Sequence, residues 1–416
     1  MVGVRFLGLL CWLAAFAGEA FVGAALAQTY PPPVLRSRAE YNTINANRVG
    51  LVTGSPGGVY ATMGDDLRNL LDDRDKSTLR VFVLITSGSV ANLDDLQNLK
   101  GVSFAIVQSD VIEAYAAEPT QLEWLKSNIR YVTALHTEAL HIVTRKEIVA
   151  AQGGDSSLCA LAGRTINVGG LRSGSMITAH KVLNDVLRLN VQFVDGSTKK
   201  GLEQLAAKQV DAVAFVVGAP APVFAKADET NRFLDNDFVW LSSSRALLER
   251  GCPGRPTSGD RSVYQDEELT PKDYPYLIPL GQSVPVIGVP AILAAFKFGP
   301  NNADRVESTS KFISAFFTKA PDRATGLGVA NGGFSPNWCG VDFKKKIDQL
   351  ERHEAAAKWL AENKTMPTKI ECGARARPDF CSNDIKLAQE VLRRNPATTS
   401  AELPKTAENL KNKECL

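Results

Sequence analysis

An α/β chain of two lobes, with a helical, cysteine-containing extension at its C-terminal end, is the fold class this sequence predicts, and three observations predict it. From Arg48 onward short apolar runs alternate with amphipathic helical stretches, the pattern of βα units on a largely parallel sheet. The alternation makes two units, and an apolar, extended segment then returns near residue 284, so the chain crosses back and the two crossings form a hinge. Past Gly340 the composition turns to charged, amphipathic helix with cysteines.

In the first unit the strand candidates are Val49–Thr53, Leu79–Ile85, Val102–Gln108, Tyr131–Leu135 and Ala139–Thr144. A helix lies between the first two, with Val59, Met63, Leu67, Leu70 and Leu71 on its inward face and Tyr60 off that face, free to look into a crevice. The second unit has a strand at Thr165–Val168, then a helix whose apolar face is Met176, Ala179, Leu183, Val186 and Leu187. An extended stretch Val191–Val194, a helix near Lys199–Lys208 and a very apolar strand Val210–Val217 follow. The return segment reads as a strand over Val284–Leu293 and a helix from about Asn302 to Lys319. In the extension a helix over Asp342–Glu362 would turn Phe343, Ile347, Leu350, Ala357 and Leu360 inward, and a second covers Ile385–Arg394. The expected organisation is a signal segment over 1–27, lobe 1 over 28–145, lobe 2 over 146–283, a return to lobe 1 over 284–340 and the extension over 341–416.

Three glycine- and serine-rich turns each follow a strand and open a helix. They are Gly54-Ser55-Pro56-Gly57-Gly58-Val59-Tyr60, Thr86-Ser87-Gly88-Ser89-Val90-Ala91-Asn92 and Gly169-Gly170-Leu171-Arg172-Ser173-Gly174-Ser175. A helix start exposes unpaired N–H groups at the positive end of a dipole, so several starts brought together cradle an anion. Taken singly, such turns serve only as tight connections with serine caps. Three at the carboxyl ends of strands point to a small acidic ligand, because open α/β sheets bind there.

The N-terminal segment carries one cation, Arg5, an apolar run from Phe6 to Ala17 and the small-residue ending Ala25-Leu26-Ala27, the layout of a cleavable export signal. A periplasmic chain with no direct membrane anchor is the expectation. The six cysteines beyond Cys11 agree with an oxidising compartment. Cys159 and Cys252 lie mid-chain while Cys339, Cys372, Cys381 and Cys415 lie near or in the tail, which suggests a Cys159–Cys252 bridge and two bridges confined to the tail. A net charge of +2 provides no field for nucleic acid.

Catalytic, cofactor and metal readings find little support. No turn completes Gly-x-Gly-x-x-Gly or carries Gly-Lys-Ser/Thr, and no Gly-x-Ser-x-Gly elbow or Cys-x-x-Cys pair occurs. His136-x-Glu138-x-x-His141 alternates like a strand, which puts the two histidines on opposite faces and favours a satisfied structural role over a metal. Gln108 and Asp110 end a buried strand, where polar groups are costly unless paired; they either meet a ligand amino group or tie loops together.

The three turns, together with Ala105-Ile106-Val107-Gln108-Ser109-Asp110, Leu135-His136-Thr137-Glu138-Ala139-Leu140-His141, Val210-Asp211-Ala212, Gly218-Ala219-Pro220 and Val286-Ile287-Gly288-Val289-Pro290-Ala291, resemble the TAXI group of solute receptors of tripartite ATP-independent periplasmic (TRAP) transporters. The pieces occur in the family's order from about Arg48 to Lys297. The resemblance implies a periplasmic-binding-protein (Venus flytrap) architecture that closes on a small carboxylate, a glutamate-like amino acid or a dicarboxylate, and delivers it to a TRAP-type permease. It implies no catalytic residue and no cofactor, and it carries over Ser55, Gly58, Tyr60, Ser89, Asn92, Gln108, Ser173, Ser175 and Gly218 as ligand neighbours. Arg172 departs from the small residue usual in the family; at that place a guanidinium either offers a forked clamp to a carboxylate or simply faces solvent on the loop. The alternative reading is a ligand-sensing or scaffold protein that presents a clamshell and tail to a membrane partner.

Overall fold

The computed structural model describes residues 37–40, 46–56, 58–73, 78–225, 237–274, 277–329, 333–372, 384–394, 399 and 402–414. The expected signal segment lies outside them. Of the chain up to Tyr41, the described part is one turn in which the Ser37 amide donates to Glu40 Oε2 at 2.8 Å. From Asn42 on, the chain is one compact unit.

That unit is built on a single ten-stranded sheet with two distinct halves. The first half orders β2 (Arg80–Leu84), β1 (Arg48–Val52), β3 (Val102–Gln108), β10 (Val284–Phe296) and β4 (Ile129–Arg145). The second continues from β4 to β7 (Ala212–Val217), β5 (Thr165–Asn167) and β6 (Gln192–Val194). Pairing is parallel among β1, β2 and β3, and again among β5, β6 and β7, as helical crossovers require. Every antiparallel pairing involves one of the two long strands: β10 with β3, β4 and β9 (Gln265–Leu269), and β4 with β7 and β8 (Phe238–Trp240). β8 and β9 carry no strong apolar alternation and were not expected.

β4 and β10 are the two crossings between the halves. β10 pairs β3 through Ala291–Ala295 and β9 through Val284–Gly288, so its two ends serve different lobes. β4 likewise pairs β10 along its first part and β7 from Ala139 to Thr144. The strands expected at Tyr131–Leu135 and Ala139–Thr144 are therefore one strand of 17 residues. The polar stretch between them does not break it, because Thr137 and Glu138 keep their pairing with Pro290 and Val289.

The helices in lobe 1 are α1 (Val59–Leu71), α2 (Ser89–Asn98), α3 (Ser109–Ala116) and α4 (Pro119–Asn128). Those in lobe 2 are α5 (Lys146–Ala151), α6 (Gly174–His180), α7 (Thr198–Ala206), α8 (Pro222–Ala225) and α9 (Arg245–Arg250), with α6 running on into a wider turn over Lys181–Val186. α10 (Ala303–Lys319) returns to lobe 1. Val59, Met63, Leu67 and Leu71 of α1 join Phe312 and Phe316 of α10 over one face of the first half-sheet, while Leu93, Leu96, Val111, Ile112 and Leu125 cover the other. Leu158, Leu161, Val182, Leu183, Val186 and Leu247 form the core of the second half. Each fully buried aliphatic side chain contributes about 1.5–3 kcal/mol, so both halves carry cores of their own.

Two bridges are present, Cys159–Cys252 and Cys339–Cys372. The first is the mid-chain pair expected, and the second lies in the tail region; Cys381 and Cys415 lie outside the described residues. The helix expected over Asp342–Glu362 is corrected: only α11 (Glu354–Glu362) is helical. Before it the chain runs through turns with isolated bridges at Asp342 and Arg352, because backbone bonds to lobe 1 compete with a helix. Tyr131 N–H donates to the Glu351 carbonyl at 3.0 Å and His353 N–H donates to the Tyr131 carbonyl at 2.8 Å. Trp338, Val341 and Phe343 are fully buried in the lobe 1 core, so the start of the extension is part of that lobe. Further on, α12 (Asp384–Arg394) matches the second helix expected, and α13 (Leu403–Glu414) packs on it through Leu387, Val391 and Leu403.

Candidate functional site

The three turns converge. Between the two half-sheets lies a cavity of about 50 Å³, lined by Gly54, Ser55, Gly58, Val59 and Tyr60 of the first turn and Ser87, Gly88 and Ser89 of the second. From lobe 2 it receives Ser173, Gly174 and Ser175 of the third turn, together with Phe215, Val216 and Val217 at the end of β7. Gln108 at the end of β3 and Glu138 on the crossing strand complete it.

Local sequence explains how the turns present backbone. α1 and α2 start at Gly58 and Gly88, and neither glycine supplies a side chain to cap its helix. A glycine N-cap leaves first-turn N–H groups at the positive end of a dipole for other acceptors. α6 differs, since Ser173 caps it by accepting from Met176 N–H at 3.4 Å. Gly88 also has a φ of 125°, and a Cβ there would stand 3.3 Å from the Ser173 Cα, so the second turn lies directly against the third. Ala91 N–H donates to the Arg172 carbonyl at 3.1 Å across that contact.

Two acceptors face the same space. The Tyr60 hydroxyl donates to Glu138 Oε2 at 2.6 Å, with both residues buried. Burial first, and then the charge of Glu138 beside it, hold the Tyr60 hydroxyl well above the ordinary phenol range, so it stays protonated and keeps donating. Tyr60 is thus not the free ring expected from the helical periodicity: it lines the cavity while its hydroxyl is tied to β4. His136 Nε2 lies 3.8 Å from Glu138 Oε1, and its ring nitrogens have no hydrogen-bond partner among the described residues. Gln108, 2% exposed, receives the Ser89 hydroxyl oxygen as acceptor for its own N–H at 3.1 Å, while its side-chain Oε1 is buried without a partner. Gly174 makes room for that side chain, since a Cβ there would fall 1.5 Å from Gln108 Oε1.

Of the residues expected to touch a ligand, Ser55, Gly58, Tyr60, Ser89, Gln108, Ser173 and Ser175 line the cavity. Asn92, Arg172 and Gly218 do not. Asn92 is fully buried and spends its amide on the Thr53 and Ile106 carbonyls, holding β1 and β3 to the second turn. Gly218 lies against His136 and Asn337, behind the lining. Arg172 is exposed, as the solvent-facing reading has it, and its guanidinium pairs with the Asp94 carboxylate on α2, which links the two lobes. Sequence reasoning missed Glu138 as a lining residue; the available signal was the one acidic residue of that strand, a costly placement in a buried element unless it is used.

The remaining polar groups tie the halves together. Asp110 accepts from the Thr178 hydroxyl at 2.6 Å and the Tyr264 hydroxyl at 3.2 Å, while Lys181 pairs with Glu113 at 2.9 Å. Burial pushes the Asp110 carboxyl up to about 6. His141 is satisfied as expected, its Nδ1 at 2.8 Å from the Ala139 carbonyl and its Nε2 at 2.7 Å from the Tyr274 hydroxyl. No group of three or more metal-ligating side chains occurs among the described residues, and no helix there is long and apolar enough to cross a membrane.

Residues 51–243, from β1 to just past β8, match the model of the NMT1-like family. No curated protein matches the chain. Among solved structures it is similar to the binding-protein component of an ABC phosphonate transporter from Pseudomonas aeruginosa, with 10% identity and a TM-score of 0.40 over 88% of this chain and 94% of that one. It is also similar to the periplasmic VFT2 domain of BvgS from Bordetella pertussis, with 12% identity and a TM-score of 0.32 over 68% of this chain and 93% of that one. At such values no ligand passes from these proteins to this chain. Its own topology, two half-sheets joined by two crossing strands around a cleft, is the Venus flytrap architecture the sequence predicts.

Proposed function

We propose that this protein is an extracytoplasmic solute receptor that closes its two lobes on a small carboxylate, a glutamate-like amino acid or a dicarboxylate, and hands it to a TRAP-type permease. The observation that carries the reading is the convergence of Gly58, Gly88 and the Ser173–Ser175 turn on one cavity between the lobes. The starts of α1 and α2, which no side chain caps, favour an anionic group at that place. A ligand that touches both lobes binds the closed arrangement better than the open one, and that difference drives closure. The two disulfides fit an oxidising compartment, where such a receptor works. In this reading Ser55, Gly58, Tyr60, Ser89, Gln108, Ser173 and Ser175 contact the ligand.

The test is native mass spectrometry of the purified protein, followed by calorimetric titration with the solute it carries. A co-purified carboxylate that binds with a single site per chain is the expected result. A neutral sugar or a cation in its place, or turnover of the bound molecule, would remove the proposal.

A further inference from the structure

We propose that Glu138 and the side-chain oxygen of Gln108 form a subsite for a protonated amino group, so that the preferred solute is a zwitterion of the amino-acid type and not a bare dicarboxylate. This rests on the receptor reading above and narrows its substrate class.

Three placements carry the argument. First, Glu138 sits where β4 crosses between the lobes, paired with Val289 of β10, so its carboxylate belongs to the floor of the cleft and not to either lobe's outer surface. It is 3% exposed; the Tyr60 hydroxyl occupies one oxygen, Oε2, and His136 Nε2 stands 3.8 Å from the other, too far for a hydrogen bond. A buried carboxylate that lines a cavity repels a second carboxylate placed against it and attracts an ammonium group. Second, Gln108 Oε1 is a buried acceptor without a partner, an arrangement that costs free energy unless a donor arrives. Third, both acceptors line the same cavity as the N-terminal ends of α1 and α2. Helix-start donors and these two acceptors around one cavity match a molecule that carries a carboxylate and an ammonium group together. A dicarboxylate satisfies the helix ends and leaves Glu138 facing like charge.

Calorimetry with the intact protein tests this, using L-glutamate and the other L-amino acids beside their deaminated counterparts, glutarate first. The wild type is expected to bind at least one amino acid about tenfold or more tighter than the matching acid without its amino group, the effect of one charge-assisted hydrogen bond. Glu138→Gln keeps an oxygen for the Tyr60 hydroxyl; it should lower affinity for the amino acid by about tenfold more than affinity for the deaminated acid, so that the preference is lost. Gln108→Leu should reduce the preference in the same direction, and the wild-type comparison stands even where a variant fails to fold. Equal wild-type affinity for both members of every pair, or an equal loss for both in Glu138→Gln, overturns the amino-group subsite while the carboxylate receptor survives. Binding of neither class by the wild type overturns both.

Discussion

Ala91 N–H donates to the carbonyl of Arg172 at 3.1 Å, and through that bond the start of a lobe 1 helix rests on a lobe 2 turn. The side chain of Arg172 repeats the link by pairing with Asp94, three residues along the same helix. Lobe closure at this edge therefore has a contact of its own, separate from any ligand.

Arg172→Ala is expected to weaken binding of every ligand by the same small factor. Both partners are about half exposed, 55% and 44%, and such pairs are worth about 0–1 kcal/mol, roughly fivefold at most. Calorimetry with acidic and neutral solutes checks it, with Asp94→Arg/Arg172→Asp restoring the lost affinity. A loss near a hundredfold confined to acidic ligands would mean that the arginine grips the solute directly.

Gly174→Ala should cost binding far more than stability. The new Cβ would fall 1.5 Å from Gln108 Oε1 and 2.4 Å from its Cδ, so the glutamine side chain must give up its present place. Affinity is expected to drop by about tenfold or more, while the melting temperature falls by only a few degrees. Unchanged affinity would show that the Gln108 side chain can leave without consequence.

Asp110 and His141 predict opposite pH dependences. The Asp110 carboxyl rises from 3.8 to about 6 on folding, so the stability it contributes is present below pH 3.8 and is lost as pH rises through 6. His141 falls from 6.5 to about 4 because burial disfavours its charged form, so its contribution is present above pH 6.5 and is lost as pH falls through 4. Each effect is on the order of 3 kcal/mol, so the wild-type profile is flattened between pH 4 and 6.5. Asp110→Asn should be more stable than wild type at pH 8 and should expose the acid-side decline due to His141. Denaturant melts across pH measure both; parallel profiles for variant and wild type would refute the assignment.

Loss of the Cys159–Cys252 bridge should destabilise lobe 2 most. The bridge closes a separation of 93 residues, worth about 4–5 kcal/mol in the chain-entropy model, against about 4 kcal/mol for the separation of 33 at Cys339–Cys372. Cys159→Ser/Cys252→Ser measured by urea unfolding gives the difference. An unchanged midpoint would mean that residual structure already constrains the unfolded chain.

Most of the secondary structure was legible in the sequence because periodicity is a local property. The face Val59, Met63, Leu67 and Leu71 and the apolar run of β7 are visible in a window of a dozen residues, and each is buried as that window requires. Asp342–Leu350 was legible only in part: its apolar spacing fits a helix, yet the backbone bonds that hold the neighbouring Glu351 and His353 out of a helix come from Tyr131, more than two hundred positions away.

What the sequence by itself determined about this protein is the set of βα units, the three turns that open helices and the mid-chain cysteine pair. Only the tertiary structure decided which polar groups meet the cavity. The pairing of β10 with β4 shifts register between Pro290 and Ile292 and again between Leu293 and Ala294, and one such shift reverses which face a side chain takes. Strand alternation therefore does not say where Glu138 points. Asn92 and Arg172 sit in the same kinds of turn as the lining serines, and they are directed to the Thr53 and Ile106 carbonyls and to Asp94 by partners distant in the chain. Local pattern sets what an element is; the angle and register at which elements meet set what its side chains face.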